Sequence, residues 1–426
     1  MGRRSVKVKK GRENVVERHL KRMVEGALLE AENPYSFGGF WFDRDALVIA
    51  ANLTGGEYLD LNVVEHAIFR AAWTCAKEGC TEEGATDLRR FADLVARFLE
   101  EAERKPKSAF TAVFVIDTKE VPSWFLPRRV LGLEIRSSTW EDVSDLVGGE
   151  PVETVWQWHD APISEYELHQ FQPVTVCSEG VSDEDAFDAA LEAVSLVRAC
   201  YNCVANAHVR TIRFGGPEPL AHLRSGPAYA IVDSSGIRQA FFEADATRYR
   251  RDPINGKYQK LYVDLIARFE ETPAPRSSAA RLGRALAVYT DAVDHRYDQE
   301  HFLGLWQCLD ILSNPPGGKT DELASRVSNL WRDAAEVKPV LEALAPLRNR
   351  LVHEGHFGKH CQVAVRMLHE IVTLGMLQFS AFIDDLPTDA DFEAYFALCT
   401  RPGADLERIS KVVSFVEGIR ARTVAH

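Results

Sequence analysis

The stretch 361-CQVAVRMLHEIVTLGMLQFSAFI-383 is apolar on nearly every side, with Arg366, His369 and Glu370 the main interruptions. It is too long for a strand, and a helix that is hydrophobic all round must be wrapped by other protein. The preceding segments supply the wrapping. Leu282, Leu286, Tyr289 and Val293 recur at helical spacing, as do Phe302, Leu305, Trp306, Leu309 and Leu312, and then Leu323, Val327 and Leu330. These predict an all-helical bundle over 276–426, with 361–383 as its central helix.

Upstream the pattern is mixed. Val64, Ile68 and Ala71 mark one helix, and Leu88, Phe91, Val95 and Phe98 mark another. The runs 110–116, 130–136 and 173–177 read as strands. The segment 228-AYAIV-232, a turn-forming Asp-Ser-Ser-Gly, and 237-IRQAFF-242 reads as a hairpin. Residues 182–204 form an amphipathic helix capped by Ser182, with Phe187, Leu191, Val194, Val197, Tyr201 and Val204 on its stripe. The character changes at 271-ETPAPRSSAA-280, where Pro, Ser and Ala replace periodic apolar residues. The expected fold class is therefore an α+β amino-terminal domain over 1–275 followed by an all-α domain over 276–426.

The chain has 426 residues, 46% of them hydrophobic, and a formal charge of −13. Such acidity argues against coating duplex nucleic acid, because non-specific affinity comes from Lys and Arg neutralising phosphates. One region departs from it. Residues 1–22 carry nine Lys and Arg against two Glu, a basic arm that reads as a solvated, partly helical tail. The lack of a signal peptide pattern, and of any apolar run of membrane-spanning length, predicts a cytoplasmic protein with no membrane partner. The eight Cys fit a reducing compartment. Cys200 and Cys203, with Cys75 and Cys80, have the look of a zinc site, but their place beside a helical stripe favours packed thiols, and no cofactor is expected.

Two short motifs invite a phosphate reading. Gly317-Gly318-Lys319-Thr320 resembles the end of a phosphate-binding loop, yet Ser313 stands where that loop needs Gly, and a helix precedes it where a strand is required. It reads instead as an interhelical loop ending where Thr320 or Asp321 opens the next helix. The second motif lies in 344-LAPLRNRLVHEGHFGKH-360. Arg348 offers a planar fork of donors matched to two phosphate oxygens. His353 exchanges protons near neutrality. Asn349 lies four residues before His353, on the same helix face, where its amide orients an imidazole or a substrate oxygen. Arg348 and His353 lie about 140° apart on an ideal helix. A helix end at Gly355 relaxes that separation, and a symmetric dimer relaxes it further by pooling two motifs in one cleft.

Arg348-Asn349-Arg350-Leu351-Val352-His353 resembles the ribonuclease motif of the HEPN family (higher eukaryote and prokaryote nucleotide-binding domains). The flanks agree: 282–312, a linker with Lys319, and then 344–355 resemble the layout of its Apea-like branch, over about residues 280–385. The resemblance implies a dimerising helical bundle that cuts RNA without a metal. The 2′-hydroxyl is the nucleophile, and a 2′,3′-cyclic phosphate and a 5′-hydroxyl are left. On this reading Arg348 stabilises charge at phosphorus, His353 acts as acid or base and Asn349 positions either. Arg350 and Lys319 bind substrate. Many bacterial members are toxins or anti-phage defence effectors, and for one of these residues 1–275 would sense a trigger or restrain the nuclease.

Two other readings start from the same residues. His353, His356 and His360 have spacing that could hold a metal for a hydrolase, although Gly355 and Gly358 interrupt the helix such a site needs. Alternatively the bundle is a non-catalytic dimerisation or RNA-binding module that uses Arg348, Arg350 and His353 for contacts.

Overall fold

The computed structural model describes residues 67, 68, 70–72, 74, 75, 88–104, 107–118, 128–149, 171–208, 220–242, 256–295, 298–314, 319–331, 334–355 and 361–399. It combines helices with an antiparallel sheet. Two compact units divide the chain, one of residues 1–110 and 178–189, the other of 111–177 and 190–426. The basic arm, Val64, Cys80, His356 and His360 lie outside the described residues.

In the first unit, helix α1 (Leu88–Arg104) buries Phe91, Val95 and Phe98, the expected stripe. Ile68 and Ala71, also expected on a helix, are helical and buried. The Arg70 and Arg97 guanidinium groups lie 4.1 and 4.8 Å from the centre of the Phe98 ring, and both arginines pair with Glu101.

The sheet runs in the order β2-β3-β4-β1-β5-β6: β1 Ser108–Asp117, β2 Arg128–Val130, β3 Leu133–Ser137, β4 Gln172–Gly180, β5 Arg224–Asp233 and β6 Gly236–Phe242. Central β1 is buried on both faces from Val113 to Asp117, as an inner strand covered on two sides must be. The short helix α2 (Trp140–Leu146) opens with a capping box, in which Thr139 Oγ1 accepts from Asp142 N at 3.0 Å and Asp142 Oδ2 accepts from Thr139 N at 2.7 Å. Its Val143 joins Val113, Val115, Phe171, Ala230 and Val232 in one apolar cluster.

The hairpin expected at 228–242 forms, and its Asp233 carboxylate accepts from Ser235 N at 2.7 Å to fix the turn. The run 130–136, expected as a single strand, is instead β2 and β3 joined at Leu131 and Gly132, both with positive φ (53° and 80°). Two such residues make a hairpin turn whose twist matches its strands. Leu131 tolerates that conformation because the turn is held from outside: Leu131 N donates to Phe269 O at 2.6 Å and Gly132 N to Glu270 O at 2.9 Å.

Helix α3 (Asp183–His208) starts at Ser182, whose Oγ accepts from Asp185 N at 3.1 Å. Cys200 and Cys203 are fully buried in it, and burial pushes both thiols up, toward the uncharged form that packs rather than ligates. After α4 (Gln259–Ile266), every described helix or strand is helical: α5 Ser278–Asp294, α6 Asp298–Ser313, α7 Thr320–Ser328, α8 Ala334–Glu354, α9 Cys361–Phe382 and α10 Asp389–Cys399. The Pro- and Ser-rich stretch 271–280 lies within the second unit, and Ser277 caps α5 by accepting from Ala280 N.

Helix α6 packs against α5, α7, α8 and α9. Gly304 makes the α5 crossing close, since a Cβ there would sit 2.6 Å from Ala292 Cβ. A polar string joins α3, α5 and α9: Asn206 Nδ2 donates to Tyr289 OH at 2.8 Å, and Tyr289 OH lies 3.2 Å from His369 Nε2. Arg198 of α3 pairs with Asp294 at the end of α5. Beyond them the carboxyl end of α6 is clamped by charge. Glu393 of α10 accepts from Arg326 at 2.7 Å and from Arg281 at 3.1 Å, both arginines being almost wholly buried. Arg326 also donates to the carbonyls of Ser313 and Asn314 at 2.8 and 2.9 Å.

Candidate active site

Helix α8 carries the motif. Its Ala, Leu and Glu content favours a helix, and burial of its leucines carries that helix through Pro339 and Pro346, although each proline deprives the carbonyl four residues earlier of its donor. Both prolines are exposed, as are Ala335 and Glu342, where water can serve those carbonyls. Leu341, Leu344 and Leu351 form the buried stripe. The helix stops at Glu354, and Gly355 adopts φ +64° with its N–H donating to Leu351 O at 3.0 Å, a left-handed cap that favours glycine.

This geometry sorts the motif residues by face. Arg348 lies four residues after Leu344 and three before Leu351, so it stands on the edge of the buried stripe and is half-buried. Its Nη1 donates to Asn349 Oδ1 at 3.3 Å, a long contact that leaves most of the guanidinium fork unused among the described residues. Asn349, Arg350, Val352 and His353 are exposed. Asn349 and His353 share a face, as their spacing requires. Arg348 and His353 do not: the unbroken helix keeps them about 140° apart within one chain. Lys319 is exposed at the amino-terminal cap of α7, without a side-chain capping bond.

A further residue belongs here. Asp310 on α6 is half-buried, and among the described residues no hydrogen bond or ion pair satisfies its carboxyl. Burial pushes its pKa up to about 6, opposed by the Arg348 charge. Its signal in the sequence was an acid inside the apolar run 308-CLDIL-312, where helical periodicity drew attention to Leu309 and Leu312 instead.

Three apolar side chains of α8 and α9 stand in solvent. Val352 is 48% exposed beside His353, and Val363 and Met367, one turn apart on α9, are 59% and 39% exposed. Among the described residues no group of three or more His, Cys, Asp or Glu is placed to hold a metal ion, and no described helix is long and apolar enough to cross a membrane. No family model, curated protein or solved structure matches this chain.

Proposed function

We propose that this protein is a metal-independent endoribonuclease of HEPN type, acting as a homodimer, and that it serves as a toxin or anti-phage defence effector. The observation that carries the reading is the end of α8. It presents a half-used arginine fork and, on an open helix face, Asn349 and His353 one turn apart. Arg348 takes the phosphate and stabilises charge as phosphorus becomes pentacoordinate. His353 moves a proton, and Asn349 orients the ring or a substrate oxygen. Arg350 and Lys319 draw in the polyanion. The helical elements from α5 to α9 are compatible with the bundle that the motif's family resemblance implies.

The separation of Arg348 from His353 is the reason for two copies. Packed about a two-fold axis, two α8 ends put the arginine of each chain near the histidine of the other, and the exposed Val352, Val363 and Met367 supply apolar contact area. The test is RNA cleavage in excess EDTA by wild type, Arg348→Ala and His353→Ala. Cutting by wild type, with both variants reduced at least about 100-fold, is expected. Equal cutting by all three proteins would remove the site assignment. Cleavage that stops with EDTA would favour the metal hydrolase reading of His353, His356 and His360.

A further inference from the structure

A half-buried carboxyl short of partners is costly, because a buried polar group without them loses its hydration and gains no replacement. Asp310 is in that position, with neither a hydrogen bond nor an ion pair among the described residues. Helices α5, α7, α8 and α9 pack against α6, and of their described charged groups Arg348 is the one whose field acts on Asp310. Arg348 is itself underused, with a single long contact to Asn349. A half-buried carboxyl on α6 and a guanidinium on α8, two helices that pack together, interact electrostatically and are short of hydrogen-bond partners among the described residues, which suits a ligand that presents a proton to one and an anion to the other.

A ribonucleotide presents that pair. Its 2′-hydroxyl lies beside the 3′-phosphate, about 3 Å from the phosphorus it attacks. Resting on the ribonuclease reading above, we propose that Asp310 is the general base of this site, its carboxylate taking the 2′-hydroxyl proton while Arg348 holds the adjoining phosphate. The helix geometry gives the rest of the step. In-line displacement places the attacking and leaving oxygens on opposite sides of phosphorus, and in the homodimer proposed above the base on the Arg348 side of one chain leaves the far side for His353 of the partner subunit. The 2′-oxygen passes its proton to Asp310 and forms its bond to phosphorus. The bond from phosphorus to the 5′-oxygen breaks, and that oxygen takes a proton from the His353 imidazolium. Asp310 then holds one proton more and His353 one fewer, and exchange with water resets both. A carboxyl titrating near 6 is mostly ionised at pH 7.5 yet basic enough to accept the proton.

The experiment compares wild type and Asp310→Asn for cleavage of a short RNA in EDTA and for thermal melting at pH 7.5. It adds binding of the same oligonucleotide carrying 2′-deoxyribose, which cannot be cut. Expected are a kcat at least about 100-fold lower, KM and deoxy-oligonucleotide affinity within about twofold, and a melting temperature that is unchanged or higher. In wild type the acid limb of the kcat profile falls near pH 6, and in Asp310→Asn it is absent. Wild-type kcat in the variant would overturn the role of Asp310 and leave the ribonuclease standing. A variant that loses activity together with its melting temperature would show Asp310 to be structural, and overturn the role also. An inert wild type would overturn the ribonuclease reading itself, and the base assignment with it.

Discussion

At the scale of single residues, the proposed chemistry uses side chains kept where folding alone would not favour them. Asp310 gives a stability signature that is separate from activity. Its folded pKa is raised to about 6 from an ordinary 3.8, so the native state holds its proton more tightly than the unfolded chain does. The sign follows: a penalty to stability is fully present above about pH 6, shrinks as pH falls through that window, and is gone below the unfolded value. Asp310→Asn removes the penalty. The melting temperature of the variant should therefore exceed that of wild type most clearly at pH 7 to 8, and the difference should close toward pH 4. A gap that widens as the pH falls would contradict the assignment. The roles proposed for Arg348, Asn349 and His353 were suggested by the sequence because the three sit together in one short motif. Asp310 was not, because its role depends on α6 lying against α8, a tertiary relation that helical periodicity in the 308–312 run does not reveal.

At the scale of elements, local rules placed most helices and the 228–242 hairpin, and failed where a distant segment outweighed them. The hydrophobic pattern of 130–136 suits a strand, but backbone bonds from 269–270 stabilise the Leu131-Gly132 turn and break the run in two. Prolines ordinarily end a helix, yet α8 passes through two of them because its leucines are buried against neighbouring helices. The same dependence on neighbours makes the end of α6 sensitive to α10. Glu393→Ala deprives two nearly buried arginines of an ion-pair partner. Arg281 keeps Asp389 at 2.7 Å, while among the described residues Arg326 retains only carbonyl partners and the Phe396 ring face. The expected cost is about 3 kcal/mol in urea unfolding, since a buried charge left unpaired is far worse than a lost surface pair. A loss of under about 0.5 kcal/mol, typical of a surface site, would show that the clamp is not what holds this end of the bundle.

At the scale of the whole molecule, the proposed homodimer rests on a motif split by about 140° on one helix. Mixing Arg348→Ala and His353→Ala chains tests this directly, since a mixed dimer contains one cleft with both groups intact. Random pairing gives half mixed dimers with one working cleft in two, so about a quarter of wild-type activity should return. No recovery from the mixture, with each variant still dimeric, would mean that each chain acts alone. The formal charge of −13 is compatible with the proposal, since an acidic chain disfavours indiscriminate binding of polyanions.

The measurement that bears most directly on the central claim is the chemistry of the ends left when wild-type protein cuts RNA in EDTA. Attack by the 2′-hydroxyl leaves a 2′,3′-cyclic phosphate and a 5′-hydroxyl, resolved by mass spectrometry, and an oligonucleotide with 2′-deoxyribose at the cleaved position stays intact. Products bearing a 3′-hydroxyl and a 5′-phosphate, or cutting of the deoxy substrate, would contradict the account.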